Sequence, residues 1–282
     1  MTPARRELTP EDRRALSAES KVGIVATVDG AGAPHVTLIT SLSAPAPRLL
    51  VFGEFCAGRS KAHLAAHPDA AWAVMTLDRR LYQGTARWKA VRRDGPELDQ
   101  LNRQPMFRYN AYTGVYAVHY LDLRSVTGPD PLPVARLLAG TVAAQALRLA
   151  PAGRSSGDPP LRPWAVSLID HPATLRFLAA VGEDGVPRLH PLVPAVTAGG
   201  RALRFVVLGE AWPAHLTPGT EVALFALNLQ MQSVLVRGRL GSLRRLGPVA
   251  VGDLPVEWVY NSMPPLAGQV YPLPPLAPIT VV

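Results

Sequence analysis

The sequence runs through the same succession of β-rich segments twice, and this repetition restricts the fold more than any other feature. In each copy an apolar strand, a turn and a Gly-x-Pro step lead into further strands with glycine-containing returns. Four pairs of segments match in the same order at an offset of about 155 residues: 26–39 with 179–193, 49–55 with 203–211, 70–87 with 221–240, and 109–116 with 260–271. Chance likeness between β-rich segments would give one or two such matches rather than four in register. The sequence therefore predicts a duplicated unit.

Within each copy the strands are short, rich in Val, Leu, Phe and Thr, and separated by Gly and Pro turns. This pattern favours a closed or partly closed antiparallel barrel over a parallel sheet. A few helices decorate it: one is predicted to start at Thr9-Pro10, one to cover Arg59–His67, and one to cover Asp94–Met106 with an interruption at Pro105. The predicted fold class is therefore mainly β with α decoration.

The stretch between the two copies has two parts. Val134–Ala150 has the helical spacing of Leu, Val and Ala, but it is too short for a membrane span and contains two arginines. Pro151–Pro163 is a linker of Gly, Ser and Pro. We therefore expect a first barrel over residues 1–128, a connecting helix and linker over 129–163, and a second, degenerate barrel over 164–282.

Composition narrows the cellular setting and the partners. No apolar run approaches a bilayer span, the N-terminal residues lack the apolar core of a signal peptide, and Cys56 is the only cysteine. These features predict a cytoplasmic protein without an internal disulfide or membrane contact. The net charge of +8 comes mostly from arginines scattered singly or in pairs. Such a charge favours an anionic cofactor or small-molecule substrate over specific nucleic-acid binding.

The segment Gly58–Pro68, between two predicted strands, contains the residues that are best suited to bind a ligand. Ser60 and Lys61 stand in the first turn of its predicted helix, where unpaired amide groups and the positive end of the helix dipole attract anions. Spacing alone leaves two interpretations open. The first is an anion site, and the second is a serine that caps a surface helix beside a solvated lysine.

The order of these elements resembles that of the pyridoxamine 5′-phosphate oxidase-like FMN-binding split barrels. The resemblance rests on the Gly-x-Pro strand pair, the apolar strand after it and the run R-S-K-A-H-L-x-x-H-P at residues 59–68. It covers residues 18–125 well and residues 165–272 more loosely. It implies two tandem split β-barrels that form a pseudo-dimer within one chain, with a further homodimer left open.

The resemblance also implies an FMN site in the first copy. The phosphate would be held by Arg59, Ser60 and Lys61. The flavin ring would lie against the strand that contains Thr37, Leu38 and Ile39. The following strand, with Val51, Phe52 and Gly53, would flank the ring. Arg79 corresponds to a polar residue on the strand that leads to the glycine of the family, here Gly84. A deazaflavin or haem in place of FMN stays open.

Two departures from the family pattern bear on this expectation. Thr37 and Leu42 stand where pyridoxamine phosphate oxidases carry an arginine and a lysine, and the substrate motif rich in Trp and Arg is missing, which argues against vitamin B6 chemistry. The second copy has residues 212–216, W-P-A-H-L, in place of the Ser-Lys cluster. We therefore expect one flavin site per chain, with Trp212, His215 and Trp258 as candidates for its far wall.

These residues lead to three hypotheses. The first is an FMN-dependent oxidoreductase of this family, which acts on an unidentified small molecule and needs no catalytic side chain of its own. The second is a non-catalytic flavin- or haem-binding protein on the same barrel, and the third is a scaffold without a cofactor. His63 and His67 have the spacing of metal ligands on a helix, but no third ligand is near them, so no metal site is predicted.

Overall fold

Antiparallel strands are the commonest element of the structure, a computed structural model that describes residues 2–55, 58–104, 114–148, 158–208, 213, 215–246, 249–262 and 268–274. The predicted fold class, mainly β with α decoration, is confirmed. The chain divides into two compact units, Met1–Pro133 with Ala179–Leu189, and Val134–Leu178 with His190–Val282. The domain boundaries predicted at residues 128 and 163 stay predictions. No helix in the described ranges is long and apolar enough to span a membrane.

The N-terminal repeat is built on one antiparallel sheet that curls around a core of Trp72, Phe52 and Tyr82. Its elements are α1 (Pro10–Leu16), β1 (Lys21–Val28), β2 (Pro34–Leu38), β3 (Ser43–Ala46), β4 (Leu49–Glu54), α2 (Arg59–Ala66), β5 (Asp69–Thr76), β6 (Arg80–Arg92), α3 (Pro96–Arg103) and β7 (Ala117–Pro131). The strand order is β2-β1-β5-β6-β7-β4-β3. β6 and β7 are the longest strands, and the first half of β7 also pairs with β4. The sheet is therefore a partly closed barrel whose edges are β2 and β3.

The C-terminal repeat has two sheets instead of one. Its elements are α4 (Val134–Leu147), α5 (Pro163–Asp170), β8 (Leu175–Val181), β9 (Pro187–Pro191), β10 (Ala195–Ala198), β11 (Ala202–Leu208), β12 (Glu221–Leu227), β13 (Ser233–Arg239), β14 (Leu243–Leu246), β15 (Val249–Pro255), β16 (Trp258–Asn261) and β17 (Gly268–Tyr271). The sheets have the orders β17-β16-β13-β12-β8-β9 and β10-β11-β15-β14.

The two repeats nevertheless share one topology, because the long strands of the first are each broken in two in the second. β13 and β14 take the place of β6, and β15 and β16 take the place of β7. β15 pairs with β11 as β7 pairs with β4, while β16 pairs with β13 as β7 pairs with β6. With these breaks joined and β17 set aside, both repeats follow the same strand order, in agreement with the duplication and the tandem split-barrel fold predicted from the sequence. The predicted match of 109–116 with 260–271 is wrong, because β16 takes the place of the end of β7, whereas residues 114–116 precede β7.

Individual hydrogen bonds recur in the two repeats at equivalent positions. The amide of Leu8 donates to the carbonyl of Pro47, and Leu161 donates to Gly200 in the same way. Two further pairs link the same elements: Ile39 to Gly23 with Val193 to Arg176, and Trp88 to Pro68 with Leu240 to Thr220. Bonds that tie distant parts of the chain would not coincide in unrelated barrels. The agreement extends the repeat from strand order to local geometry.

A close approach of two backbones occurs at the same place in both repeats. A Cβ atom at Gly84 would lie 1.9 Å from the carbonyl oxygen of Ser125, and one at Gly238 would lie 2.0 Å from that of Pro255. Both distances are far below contact, and the obstructing atoms belong to backbone that cannot swing aside. Only glycine fits where these strands approach one another so closely.

The predicted helices are found, with different ends. α2 ends at Ala66 and α3 covers Pro96–Arg103, while Met106 lies outside the described residues. α4 packs against β10 and β11, as expected of a helix packed on one barrel. The end of the predicted linker is a helix start, because α5 begins at Pro163; residues 149–157 lie outside the described ranges.

We predict that Gly84→Ala lowers the free energy of unfolding by at least about 2 kcal/mol, because the methyl group overpacks against fixed backbone. Gly30→Ala is the matched control, since a Cβ there meets no atom within 4 Å. Urea unfolding followed by circular dichroism measures both variants. Equal unfolding midpoints for the two variants would contradict the close backbone contact described at Gly84.

Candidate functional site at the start of helix α2

Helix α2 follows β4, and Gly58 and Arg59 are exposed where it begins. Its N-cap is Gly58, which is extended and provides no side chain to bond the first amide groups. A Cβ at Gly58 would find only the Lys61 side chain within 4 Å, with Nζ at 3.8 Å. Leu64, one turn after Ser60 on the same face, is fully buried and anchors the helix to the barrel. The first amides of α2, at the positive end of the helix, therefore have no side-chain cap and lie beside Lys61.

Ser60 is not the cap of this helix. It lies within the first turn, is 4% exposed, and its Oγ is 2.5 Å from the Thr37 Oγ1 on β2. The interpretation of Ser60 as a capping residue is therefore wrong. One of the two hydroxyls donates to the other, so the pair retains one O–H that can be donated to a further acceptor. Thr37 and Ser60, both predicted from the sequence, are brought together.

Lys61 is held in place rather than extended into solvent. Its Nζ lies 3.2 Å from Oε1 of Glu54, the last residue of β4, and both side chains are only about 15% exposed (15% and 14%). The interpretation of Lys61 as a solvated surface lysine is therefore also wrong. A paired lysine at low exposure keeps its charge at a fixed position.

Glu54 is in turn held by a histidine. Its Oε2 lies 3.1 Å from Nε2 of His119 on β7, and the indole N–H of Trp88 donates to Nδ1 of the same ring at 3.1 Å. Because an indole nitrogen can only donate, Nδ1 must accept, and the neutral ring carries its proton on Nε2. The result is a chain of hydrogen bonds from Trp88 through His119 to Glu54 and the Lys61 ammonium. Sequence reasoning missed Glu54 and Trp88 altogether.

The electrostatics of this chain keep the histidine neutral and the glutamate charged. Burial lowers the pKa of His119 below the ordinary value of 6.5, and the neighbouring Glu54 only partly opposes this. For Glu54, burial alone would raise the pKa, but hydrogen bonds from His119 and Tyr116 and the charge of Lys61 outweigh it and lower the pKa. One positive and one negative charge therefore face each other at the start of α2.

The residues expected to flank a flavin ring are only partly accessible. Leu38 and Ile39 are half-buried at the end of β2, and Arg59 is exposed in the first turn of α2. Phe52 is 1% exposed and its ring stacks on His119 with centroids 4.7 Å apart. A Cβ at Gly53 would lie 2.8 Å from Val115. The side-chain positions of Phe52 and Gly53 are thus filled by protein, which contradicts the expectation that they flank a ligand, and Val51 is likewise buried beside Leu101.

Arg79 does not join the site. It lies in the exposed turn between β5 and β6 with a positive φ of 61°, and its backbone bonds to Thr76 and Leu132. The prediction that placed Arg79 on the strand leading to Gly84 is therefore wrong. β6 begins one residue later, at Arg80. The sequence does not reveal the turn that separates Arg79 from this strand, because residues 78–80 are all polar.

Gln83 is the polar residue that sequence reasoning should have chosen on this strand. It immediately precedes Gly84, and its buried Oε1 has no hydrogen-bond partner among the described residues. The strand register places Gln83 opposite Ala73, Ala73 opposite Ile24, and Ile24 opposite Leu38. Gln83 therefore projects from the same face as Leu38, three strands or about 14 Å away. Thr37 projects from the other face, and Ile24 and Ala73, which lie between Leu38 and Gln83, are buried.

The equivalent position in the C-terminal repeat has a different chemistry. His215 and Leu216 correspond to His63 and Leu64, and His190 on β9 corresponds to Thr37. His190 and His215 lie side by side, with Nε2 atoms 3.1 Å apart. Trp258 stacks on Tyr260 and lies under the Arg237 guanidinium, whereas Trp212 lies outside the described residues. The expectation that these residues form a far wall of the first site stays a prediction.

His63, one of the two helix histidines considered as metal ligands, is engaged elsewhere. Its Nδ1 lies 3.2 Å from the Thr27 Oγ1, and its ring meets the edge of His35. Within the described ranges no group of three or more His, Cys, Asp or Glu side chains is placed to hold a metal ion.

Comparison with known proteins gives likenesses of structure alone. No protein-family model and no curated protein matches the sequence. Similar solved structures include an FMN-binding protein from Syntrophomonas wolfei, with 13% identity over 43% of this chain and 84% of that one, at a TM-score of 0.37. A candidate pyridoxamine 5′-phosphate oxidase from Lactobacillus delbrueckii has 18% identity over 44% and 96% at 0.35, and an F420 reductase has 18% over 42% and 98% at 0.34. These three neighbours are of the kind that the sequence motifs resemble, and each match covers less than half of this chain.

We predict that His119→Gln makes the protein less sensitive to acid. Since the pKa of His119 is lowered by folding, its stabilising effect is present above pH 6.5 and is lost as the pH falls from there toward the folded pKa. Protonation would also put a hydrogen on Nδ1, against the Trp88 N–H. Melting temperatures at pH 7.5 and 5.5 should therefore differ less in the variant than in the wild type. The exposed His67→Gln serves as the control, and an unchanged difference in His119→Gln would refute the assignment.

Proposed function

We propose that the N-terminal repeat binds FMN, with the phosphate at the start of α2, and that the protein is an FMN-dependent oxidoreductase acting on a small molecule. The observation that carries the proposal is the donor set around Ser60. It combines the uncapped first turn of α2, the Thr37–Ser60 hydroxyl pair and the Lys61 ammonium in one place. Such a set suits a phosphate monoester, which accepts several hydrogen bonds and carries up to two negative charges.

The donors are fixed before any ligand arrives. Ser60 is buried and bonded to β2, and Lys61 is bound to the end of β4. A ligand that binds there does not have to order two flexible side chains, and this lowers the entropic cost of binding. Arg59 is exposed at the same turn and adds positive charge.

Glu54 sets the cost of phosphate binding. A dianion beside Lys61 would meet the Glu54 carboxylate, so the phosphate has to compete with Glu54 for the ammonium. The low exposure of the pair makes this repulsion stronger than it would be in water. We infer that the site selects groups of high charge, because a singly charged anion would gain little by replacing Glu54.

The ring part of the ligand would lie along the β2 edge, with Leu38 as an apolar contact. A bound flavin supplies two-electron chemistry at its own N5, and the chain contributes position, charge and exclusion of water. His119 is kept neutral and hydrogen-bonded, so it acts here by holding Glu54 rather than by moving a proton.

Purified protein tests the proposal directly. A yellow protein that releases FMN on heating supports cofactor binding, and bleaching by NADH or NADPH with reoxidation by an acceptor supports an oxidoreductase. Retention of colour without bleaching would indicate a flavin-binding protein without this activity. A colourless protein that does not bind added FMN would refute the proposal.

We predict that Lys61→Ala weakens FMN binding by about 10- to 100-fold, the range expected for a lost hydrogen bond to a charged group. Riboflavin, which lacks the phosphate, should bind the variant and the wild type equally. Fluorescence quenching measures both ligands. Lys89→Ala, which removes an exposed ion pair with Asp122, is the matched control. Equal loss of riboflavin binding would show that Lys61 does not act through the phosphate.

We predict that Glu54→Gln strengthens FMN binding about tenfold and leaves riboflavin binding unchanged, because the amide no longer repels the phosphate. The variant keeps a side chain of the same shape opposite Lys61 and His119. Glu97→Gln, at the carboxylate that accepts from Tyr120, is the control. Weaker FMN binding in Glu54→Gln would mean that the ion pair serves to position Lys61, and the competition argument would fail.

A further inference from the structure

Two histidines of the C-terminal repeat bring the same ring nitrogen of each side chain together. Nε2 of His190 and Nε2 of His215 are 3.1 Å apart, and the rings lie at 24° with centroids separated by 5.1 Å. Both rings are half-buried. In the neutral pair one nitrogen must donate and the other accept, so one proton lies between the two nitrogens.

Described hydrogen bonds hold the backbone beside each histidine of this pair. His190 belongs to β9, and just beyond it the Val193 amide donates to the Arg176 carbonyl at 2.9 Å. His215 starts a short turn in which its carbonyl accepts from the Thr220 hydroxyl, and the next residue, Leu216, is 1% exposed. The two imidazoles are therefore presented by anchored segments that are 25 residues apart in the chain.

The pair is a specific difference between the repeats. In the N-terminal repeat, His63 binds the Thr27 hydroxyl and Thr37 binds Ser60. The positions that correspond to Thr27 and Thr37 are Ala180 and His190. Replacement of two hydroxyl residues thus removes the hydroxyl that would hold His215 and supplies the second imidazole that meets it.

The geometry points to a divalent transition-metal site at His190 and His215. A metal at the usual 2.0–2.1 Å from each nitrogen would subtend an angle of about 100° at a separation of 3.1 Å. This angle lies between the 90° of square-planar or octahedral sites and the 109° of tetrahedral sites. The proton between the rings would move to Nδ1 of the ring that carries it, so that both neutral imidazoles offer an Nε2 lone pair to the ion. Solvent or a small ligand would complete the coordination.

The donor type identifies the class of ion. Imidazole nitrogen suits Cu²⁺, Ni²⁺ and Zn²⁺, and affinity for a given nitrogen site is greatest for Cu²⁺. Hard ions such as Mg²⁺ and Ca²⁺ prefer oxygen ligands and should not compete. The site goes beyond the proposed flavin function and does not depend on it.

Tag-free, full-length protein without added flavin tests the site. One equivalent of Cu²⁺ should give an electron paramagnetic resonance spectrum with coupling to two imidazole nitrogens, and Zn²⁺ should bind with 1:1 stoichiometry in calorimetry. His190→Ala and His215→Ala should each weaken Zn²⁺ binding at least tenfold and remove the two-nitrogen signature. A tenfold excess of Mg²⁺ should change neither measurement.

His67→Ala is the matched control, since His67 is an exposed histidine of the N-terminal repeat. His215→Gln gives a second variant that can still hydrogen-bond His190 but is a poor metal ligand, and it covers the case in which an alanine variant fails to fold. No saturable binding in the wild type would overturn the site. Binding that persists in His190→Ala or His215→Gln, or that is lost equally in His67→Ala, would do so as well.

Discussion

The close contact of backbones at Gly84 and Gly238 is the constraint on which the rest of each barrel depends. In the N-terminal repeat it lets β6 and β7 stay paired along their whole length while β7 reaches β4 on its other side. That pairing is what brings Glu54 of β4, Trp88 of β6 and His119 of β7 together. A side chain at position 84 would push β6 away from Ser125 and spoil this geometry. The geometry of the proposed anion site at α2 therefore depends on a backbone contact that involves no polar side chain.

The two repeats show how one scaffold accommodates different chemistry at one place. In the N-terminal repeat the first turn of α2 is surrounded by hydroxyl, ammonium and carboxylate groups, all with described partners. In the C-terminal repeat the corresponding place holds two imidazoles. The hydrogen bonds that shape the turns around it, such as Val193 to Arg176, are the same in both. The backbone plan is therefore maintained independently of the side chains that line the site, as expected when function is carried by a site built on a fold.

The sequence was sufficient for features that depend on neighbouring residues. The repeat, the strand pairs, the start of α1 and the position of α2 follow from periodicity and from local Gly and Pro signals. For Ser60 and Lys61 the spacing left an anion site and a helix cap both open, and only the family resemblance favoured the anion site. The rest depends on partners far apart in the chain. Arg79 was misplaced because a turn with positive φ interrupts what looks like one strand, and Phe52 was misjudged because the stacking partner that buries it is His119. Glu54, Gln83 and the His190–His215 pair have no sequence signal beyond an isolated polar residue, since only the sheet register gives them their neighbours.

Because Lys61 is paired with Glu54, a ligand at the proposed site must compete with Glu54 for the ammonium and is not simply attracted to a free charge. Burying an ion pair costs desolvation free energy, which the attraction between its two charges offsets. A singly charged ligand that only takes the place of Glu54 therefore gains little free energy. A phosphate brings a second charge and more acceptor oxygens, which can use the open amides of α2 and the spare hydroxyl proton of the Thr37–Ser60 pair. Trp88 fixes the tautomer of His119, and His119 holds Glu54 in place. Residues of the barrel strands therefore determine how strongly Glu54 competes with a ligand. The selectivity of the site therefore depends as much on the carboxylate that opposes the ligand as on the lysine that attracts it.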